Sequence, residues 1–218
     1  MKIYLVRHPR PLLEPGICYG ASDVVCSDTV IEEGARSLLA ALPKGLPIVS
    51  SPLSRCERLT QALCALEPDF SYKTDAKLAE MNFGAWEMQR WDAIDRQELS
   101  AWTDAFATYR CGGSGESTAI FIQRVAQRLY ETARAGVDQI WITHAGVIRA
   151  LEWLCAQPFE LLTALASRPD PARLLGALRA ADWPTGEVAC CQVRRWDWPA
   201  LWPLLLAPPV LGSCQPRD

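Results

Sequence analysis

The chain has 218 residues, 50% of them apolar and 22% charged, with a formal net charge of −3. That length and composition suit a single globular domain over residues 1–218, or one domain carrying a small insert. The negative balance and the lack of a long Lys/Arg run argue against a nucleic-acid partner or an acidic membrane surface, and no apolar run approaches the roughly 20 residues of a membrane helix.

An anionic ligand must therefore be captured by a local group of basic side chains. The nine cysteines are odd in number and form no C-x-x-C pair. With an N-terminus that runs straight into a strand, they read as reduced thiols of a cytoplasmic protein rather than a secreted disulfide framework.

Residues 2–6 form a short apolar run suited to a strand buried on both faces, ending at Arg7-His8-Pro9. A polar loop follows to about Asp28, and residues 32–42 carry apolar side chains at helical spacing up to Pro43. Residues 46–49 read as a second strand. Ser51-Pro52 after it predicts a helix start, with Ser51 as cap and a helix over 53–66. Residues 86–117 predict a helical cap insertion, rich in Trp, Gln, Asp and Arg, that closes with a Gly/Ser loop. Ser117 is placed to cap a return helix over 118–134. A third buried strand spans 139–143 and leads through His144-Ala145-Gly146 into an apolar helix over 147–155. Residues 187–195 predict an edge strand, and a Pro/Trp-rich tail covers about 196–218. Strand–helix alternation with short links predicts an α/β three-layer sandwich, its central sheet mostly parallel, with helices on both faces.

Both histidines of the chain, His8 and His144, lie immediately after a predicted buried strand. In open α/β sheets that carboxyl edge is where ligands bind. A capping or packing role is the ordinary reading for one such histidine; it is much weaker for two in equivalent settings. No third histidine or carboxylate cluster accompanies them at ligand spacing, so the pattern predicts neither a metal site nor a cofactor. Arg55 falls in the first turn of the helix after the second strand, where helix amides and dipole favour an anion. Arg7 and Arg55 together offer the planar fork that grips phosphate oxygens, whereas Arg58 reads as a surface arginine.

The segments Leu5-Val6-Arg7-His8, Ser50-Ser51-Pro52-Leu53-Ser54-Arg55, residues 78–87 and Thr143-His144-Ala145-Gly146 resemble, in order and spacing, the motifs of the histidine phosphatase superfamily, also called phosphoglycerate-mutase-like. The resemblance implies that His8 is phosphorylated and that Arg7, Arg55 and His144 surround the phosphoryl group. It also implies that Glu80 is the general acid and base, and that Tyr19, Gly20 and Ala145 line the substrate site. His8 must attack as a neutral ring, which requires its other nitrogen to donate to a fixed acceptor such as a backbone carbonyl. Gly115-Glu116-Ser117 resembles the family's segment at the cap return. Pro9 stands where the family has glycine, which stiffens the loop and removes an amide donor.

The loop Gly16-Ile17-Cys18-Tyr19-Gly20-x-x-Asp23 and the short cap resemble the alpha-ribazole phosphatase branch. The expected activity is therefore a phosphomonoesterase acting on a small phosphorylated metabolite, with alpha-ribazole 5′-phosphate of cobalamin biosynthesis as the substrate that branch implies. A phosphoglycerate mutase and a non-catalytic phosphate-binding protein remain open alternatives, as do monomer and homodimer.

Overall fold

The computed structural model describes residues 1–197, so most of the predicted tail lies outside the described residues. Five strands form one sheet in the order β3-β2-β4-β1-β5. They are β1 (Lys2–Arg7), β2 (Ile48–Ser50), β3 (Tyr72–Thr74), β4 (Gln139–Thr143) and β5 (Val193–Asp197). All pairings are parallel except β1 with β5.

Alternation along the strands divides the core into two faces. Val6, Ile48, Ile140 and Ile142 pack with the apolar stripes of α1 (Asp28–Ala41) and α2 (Ser54–Leu66) on one side. Ile3, Leu5, Val49 and Trp141 face the other side, against α4 (Thr118–Ala135), α5 (Ala145–Cys155) and α6 (Phe159–Ser167). Among the described residues the remaining α-helices are α3 (Arg96–Asp104) in the cap and the short α7 (Pro171–Leu175). The result is the expected three-layer α/β sandwich.

Several boundaries differ from the sequence reading for identifiable reasons. Helix α1 begins at Asp28 because the Ser27 hydroxyl accepts from Val30 N, 3.4 Å away. Helix α2 begins at Ser54, not 53, and Ser51 does not cap it. The cap position is Leu53, and the first helical amide, Ser54 N, donates to Asp23 Oδ1 at 2.8 Å. The cap segment holds only one α-helix, α3, preceded by 3₁₀ turns at Gly84–Trp86 and Trp91–Ala93. The edge strand β5 starts at Val193, because the carbonyls of Glu187 and Val188 accept from Arg194 and Arg7 instead of joining a ladder. Ser117 does cap α4, accepting from Ile120 N at 3.4 Å.

Candidate active site

Ladder register sets the heart of the site. Arg7 pairs with Thr143 and Ser50 with Ile142, so the residues that follow, His8, His144 and Ser51, emerge side by side at the carboxyl edge. His8 N donates to Thr143 O at 3.0 Å, and Ser51 N to Ile142 O at 2.9 Å. The two imidazole centroids lie 5.0 Å apart with their planes at 57°.

His8 is 2% exposed, and its Nδ1 lies 2.6 Å from the Pro9 carbonyl oxygen. A carbonyl only accepts, so Nδ1 carries the proton and Nε2 of the neutral ring keeps a free lone pair. Burial first, then the Arg55 guanidinium, pushes the ring down from 6.5 to about 3; the Pro9 hydrogen bond opposes the shift and Arg7 adds to it. The main-chain carbonyl of residue 9, which any residue there would supply, is thus the orienting acceptor, and the same oxygen also accepts from Cys26 Sγ at 3.4 Å.

His144 is fully buried at the start of α5. Its Nε2 hydrogen-bonds Ser51 Oγ at 2.8 Å and lies 3.5 Å from Cys56 Sγ. Burial holds this ring well below 6.5, with His8, Arg55, Arg124 and Arg7 adding to the shift. Cys56 is itself buried, which pushes its thiol up and keeps it neutral beside the histidine. Ser51 therefore orients His144.

Arg55 is 0% exposed, yet its terminal nitrogens do not form an open fork. Nη1 donates to Ser22 O (2.8 Å) and Nη2 to Gly20 O (2.7 Å), which leaves Nε buried without a partner among the described residues. The guanidinium also lies 5.5 Å from the Tyr19 ring centroid. Arg7 donates Nη1 to Val188 O at 2.7 Å, and its Nε is likewise buried and unpartnered. The expectation of a free α2 N-terminus for the anion is corrected: the Asp23 carboxylate occupies it. The cation field falls on the histidines, while one arginine fork holds the 20–22 loop. That loop is gripped from the other side by Glu87, which accepts from Ala21 N at 2.7 Å, from Phe83 N at 2.9 Å and from Ser22. Gly20 is obligatory between them, since a Cβ there would collide with the Met81 carbonyl oxygen.

Glu80 reaches the same crevice from the cap boundary. Its Oε2 accepts from Gly146 N at 3.0 Å, in the first turn of α5, and its Oε1 from Met81 N at 3.0 Å. A Cβ at Gly146 would overlap this carboxylate and displace it. Two side chains hold the Glu80 segment: Thr143 Oγ1 donates to Leu78 O (2.8 Å), while Arg124 donates to Lys77 O (3.0 Å), Ala79 O (2.6 Å) and Glu80 O (2.8 Å), and its fork pairs with Glu116 at 2.8 and 2.9 Å. Glu116, in the Gly-Glu-Ser segment, thus braces Arg124.

The family model described as histidine phosphatase superfamily (branch 1) matches residues 3–170. The chain belongs to that superfamily. It is similar to the crystal structure of TTHB049 from Thermus thermophilus, at 32% identity and a TM-score of 0.57 over 69% of this chain and 82% of that one. A phosphoglycerate mutase from the same organism is 31% identical, with a TM-score of 0.58 over 72% and 85% of the two chains. A mycobacterial glucosyl-3-phosphoglycerate phosphatase shares the fold at 20% identity, with a TM-score of 0.61 over 76% and 83%. No curated protein matches the chain. No helix among the described residues is long and apolar enough to cross a membrane.

Beside the paired histidines lies a cavity of about 300 Å³ that includes Glu80, Ala145 and Gly146 in its lining. Six aromatic rings, Phe83, Trp91, Trp102, Phe106, Phe121 and Trp183, form most of its wall. They pack on one another: Trp91 stacks on Trp102 (6.3 Å, 14°), Phe83 meets Trp91 edge-on (5.4 Å), and Trp183 touches Phe106 (5.9 Å). Tyr19 lies elsewhere, with Arg7 in the lining of a second cavity of about 290 Å³. Sequence reasoning misses Ser51 as the partner of His144, Glu87 and Arg124 as holding groups, and this cavity. Glu87 lies inside the quoted motif; Arg124 has no sequence signal beyond an arginine on a helix.

Proposed function

We propose that the protein is a phosphomonoesterase that hydrolyses a small phosphorylated metabolite through a phosphohistidine on His8. His8 Nε2 bonds to phosphorus as the bridging P–O bond of the ester breaks, and the leaving oxygen takes a proton from Glu80. A water then returns a proton to Glu80 while its oxygen bonds to phosphorus and the P–Nε2 bond breaks, releasing inorganic phosphate and the starting enzyme. Arg7, Arg55 and His144 surround the phosphoryl oxygens, where fixed positive groups and positioning contribute most of the catalysis. Tyr19, Gly20 and Ala145 are assigned to the substrate-facing rim.

The observation that carries this reading is the neutral His8, oriented through Pro9 O and set in the field of two guanidinium groups. The substrate proposed is alpha-ribazole 5′-phosphate, supported by the likeness of the 16–23 loop to that branch. A cytoplasmic location is supported by the eight free cysteines among the described residues.

A screen of phosphorylated metabolites that includes alpha-ribazole 5′-phosphate, run with wild type and His8→Ala, tests both levels. Phosphate release by wild type alone, with an acid-labile and alkali-stable phosphoenzyme, is the expected result. Equal rates for the two proteins refute the enzyme reading; turnover of other esters but not alpha-ribazole 5′-phosphate refutes only the substrate. The 31% identity to a phosphoglycerate mutase favours a second reading. Exchange of phosphoglycerate isomers without free phosphate establishes it in place of the first.

A further inference from the structure

Arg55 is fully buried, yet no carboxylate among the described residues lies within ion-pairing distance of it. Asp23 is taken by Ser54 N, and Glu80 by Met81 N and Gly146 N. A buried cation without a counter-charge is costly and calls for compensation.

The compensation runs through a peptide group. Gly20 O accepts from Arg55 Nη2 at 2.7 Å, and Ala21 N donates to Glu87 Oε1 at 2.7 Å; the two atoms belong to one peptide unit. Its dipole lies between the two charges with the oxygen toward the guanidinium and the N–H toward the carboxylate, the favourable sense at both ends. The neighbouring units add one bond each, Ser22 N donating to Glu87 and Ser22 O accepting from Arg55 Nη1 at 2.8 Å. Glu87 has no basic partner of its own among the described residues, and Phe83 N anchors it at 2.9 Å.

We infer that Glu87 is the counter-ion of Arg55 and a positioning residue for phosphoryl transfer, acting through the Gly20–Ala21 peptide; this rests on the hydrolase reading above, which assigns Arg55 to the phosphoryl group. A guanidinium held in this way is fixed before substrate arrives, and a preorganised charge stabilises the transition state more than one that must reorganise. Neutralising Glu87 has two opposing effects. Loss of a negative charge favours anion binding, but that gain falls with distance and with screening at a half-buried group. Loosening Arg55 weakens anion binding at the site itself, and this effect should prevail.

Orthovanadate, a phosphate analogue, and two esters, n-propyl phosphate and p-nitrophenyl phosphate, test the inference on the full chain. Glu87→Gln keeps the shape of the side chain and removes its charge. It is expected to weaken vanadate binding about tenfold and to lower kcat/KM about tenfold on both esters alike, because Arg55 acts on the phosphoryl group and not on the leaving group. In an Arg55→Met background, the same substitution is expected to change vanadate affinity less than about twofold. Unchanged or tighter vanadate binding by Glu87→Gln overturns the inference. So do losses that multiply in the double variant, as a merely structural role would give, and a loss confined to n-propyl phosphate. Should Arg55→Met not fold, the guanidinium N–H resonances of Arg55, assigned through Arg55→Lys, decide the matter. Separate Nη signals in wild type that merge in Glu87→Gln are expected, and an unchanged spectrum overturns the inference.

If vanadate binds but neither ester is cleaved faster than by His8→Ala, the hydrolase reading fails and the coupling of Glu87 to Arg55 is judged by vanadate affinity alone. If turnover is normal and the two substitutions multiply, only the coupling fails. A wild type that neither cleaves the esters nor binds vanadate overturns both.

Discussion

The proposed phosphate end of the site and the cavity beside it share Glu80 but are held in different ways. His8, Ser51 and His144 each follow directly on a parallel strand, and ladder register sets their spacing. Their side chains are then fixed by short bonds to Pro9 O and to one another. The cavity draws on the cap, the start of α4, the start of α5 and the segment before β5. Its rings are held by one another rather than by a ladder. A site built this way can keep its chemistry while its specificity changes, because aromatic side chains under the cap can be exchanged without moving the sheet edge.

The strongest way to break the phosphate end is His8→Ala, which removes the proposed nucleophile. Loss of a nucleophile typically costs about 10⁴-fold or more in kcat, and stopped-flow phosphate release is the measurement that checks it. Glu80→Gln should follow at about 10²- to 10⁴-fold, since the amide can still accept from Gly146 N but has no proton to exchange. In kcat/KM, which reports the phosphorylation step alone, the loss should be large for alkyl esters and much smaller for p-nitrophenyl phosphate, whose leaving group needs no acid. An equal loss on both substrates would assign Glu80 to binding instead.

The same contrast explains what is legible in the sequence. A histidine after each of two buried strands can be seen without coordinates, because strand ends are marked by composition and sheet topology brings them together. Ser51 is easily misread because a serine before a proline looks like a helix cap, whereas Asp23, from the long loop after β1, accepts from the first helical amide, and the Ser51 hydroxyl bonds His144 while accepting from Leu53 N. Strand β3 escapes a sequence reading because its three residues are all exposed, so no apolar pattern marks it. The tryptophans of the cap read in sequence as part of a helical insertion. That they meet Phe121 and Trp183 across a cavity follows only from tertiary structure, which no periodicity records.

Arg124 links the two ends, and its removal should have an intermediate effect. Arg124→Met abolishes three bonds to the 77–80 backbone and leaves Glu116 without its guanidinium. Loss of a largely buried pair of this kind, discounted for partial exposure, should destabilise by about 2 kcal/mol. As a positioning residue it should also lower kcat/KM on alkyl esters about tenfold through a displaced Glu80, with little change in kcat/KM on p-nitrophenyl phosphate. A drop in melting temperature with equal activity losses on both substrates would make its role purely structural.

The smallest expected effect separates the ends by titration, since the phosphate end holds both histidines and the cavity lining holds none. The native His8 ring binds its proton only near pH 3, while an unfolded histidine binds it near 6.5. Below 6.5 the unfolded chain therefore carries the extra proton, so stability is complete above that value and declines as pH falls toward 3. For His8 alone the decline at pH 5 should be about 2 kcal/mol. His8→Asn keeps a donor for Pro9 O but cannot titrate, so calorimetry between pH 7.5 and 5 should show a shallower loss than in wild type. Parallel curves for the two proteins would mean that the native His8 ring protonates as readily as an exposed one, contrary to its burial between two arginines.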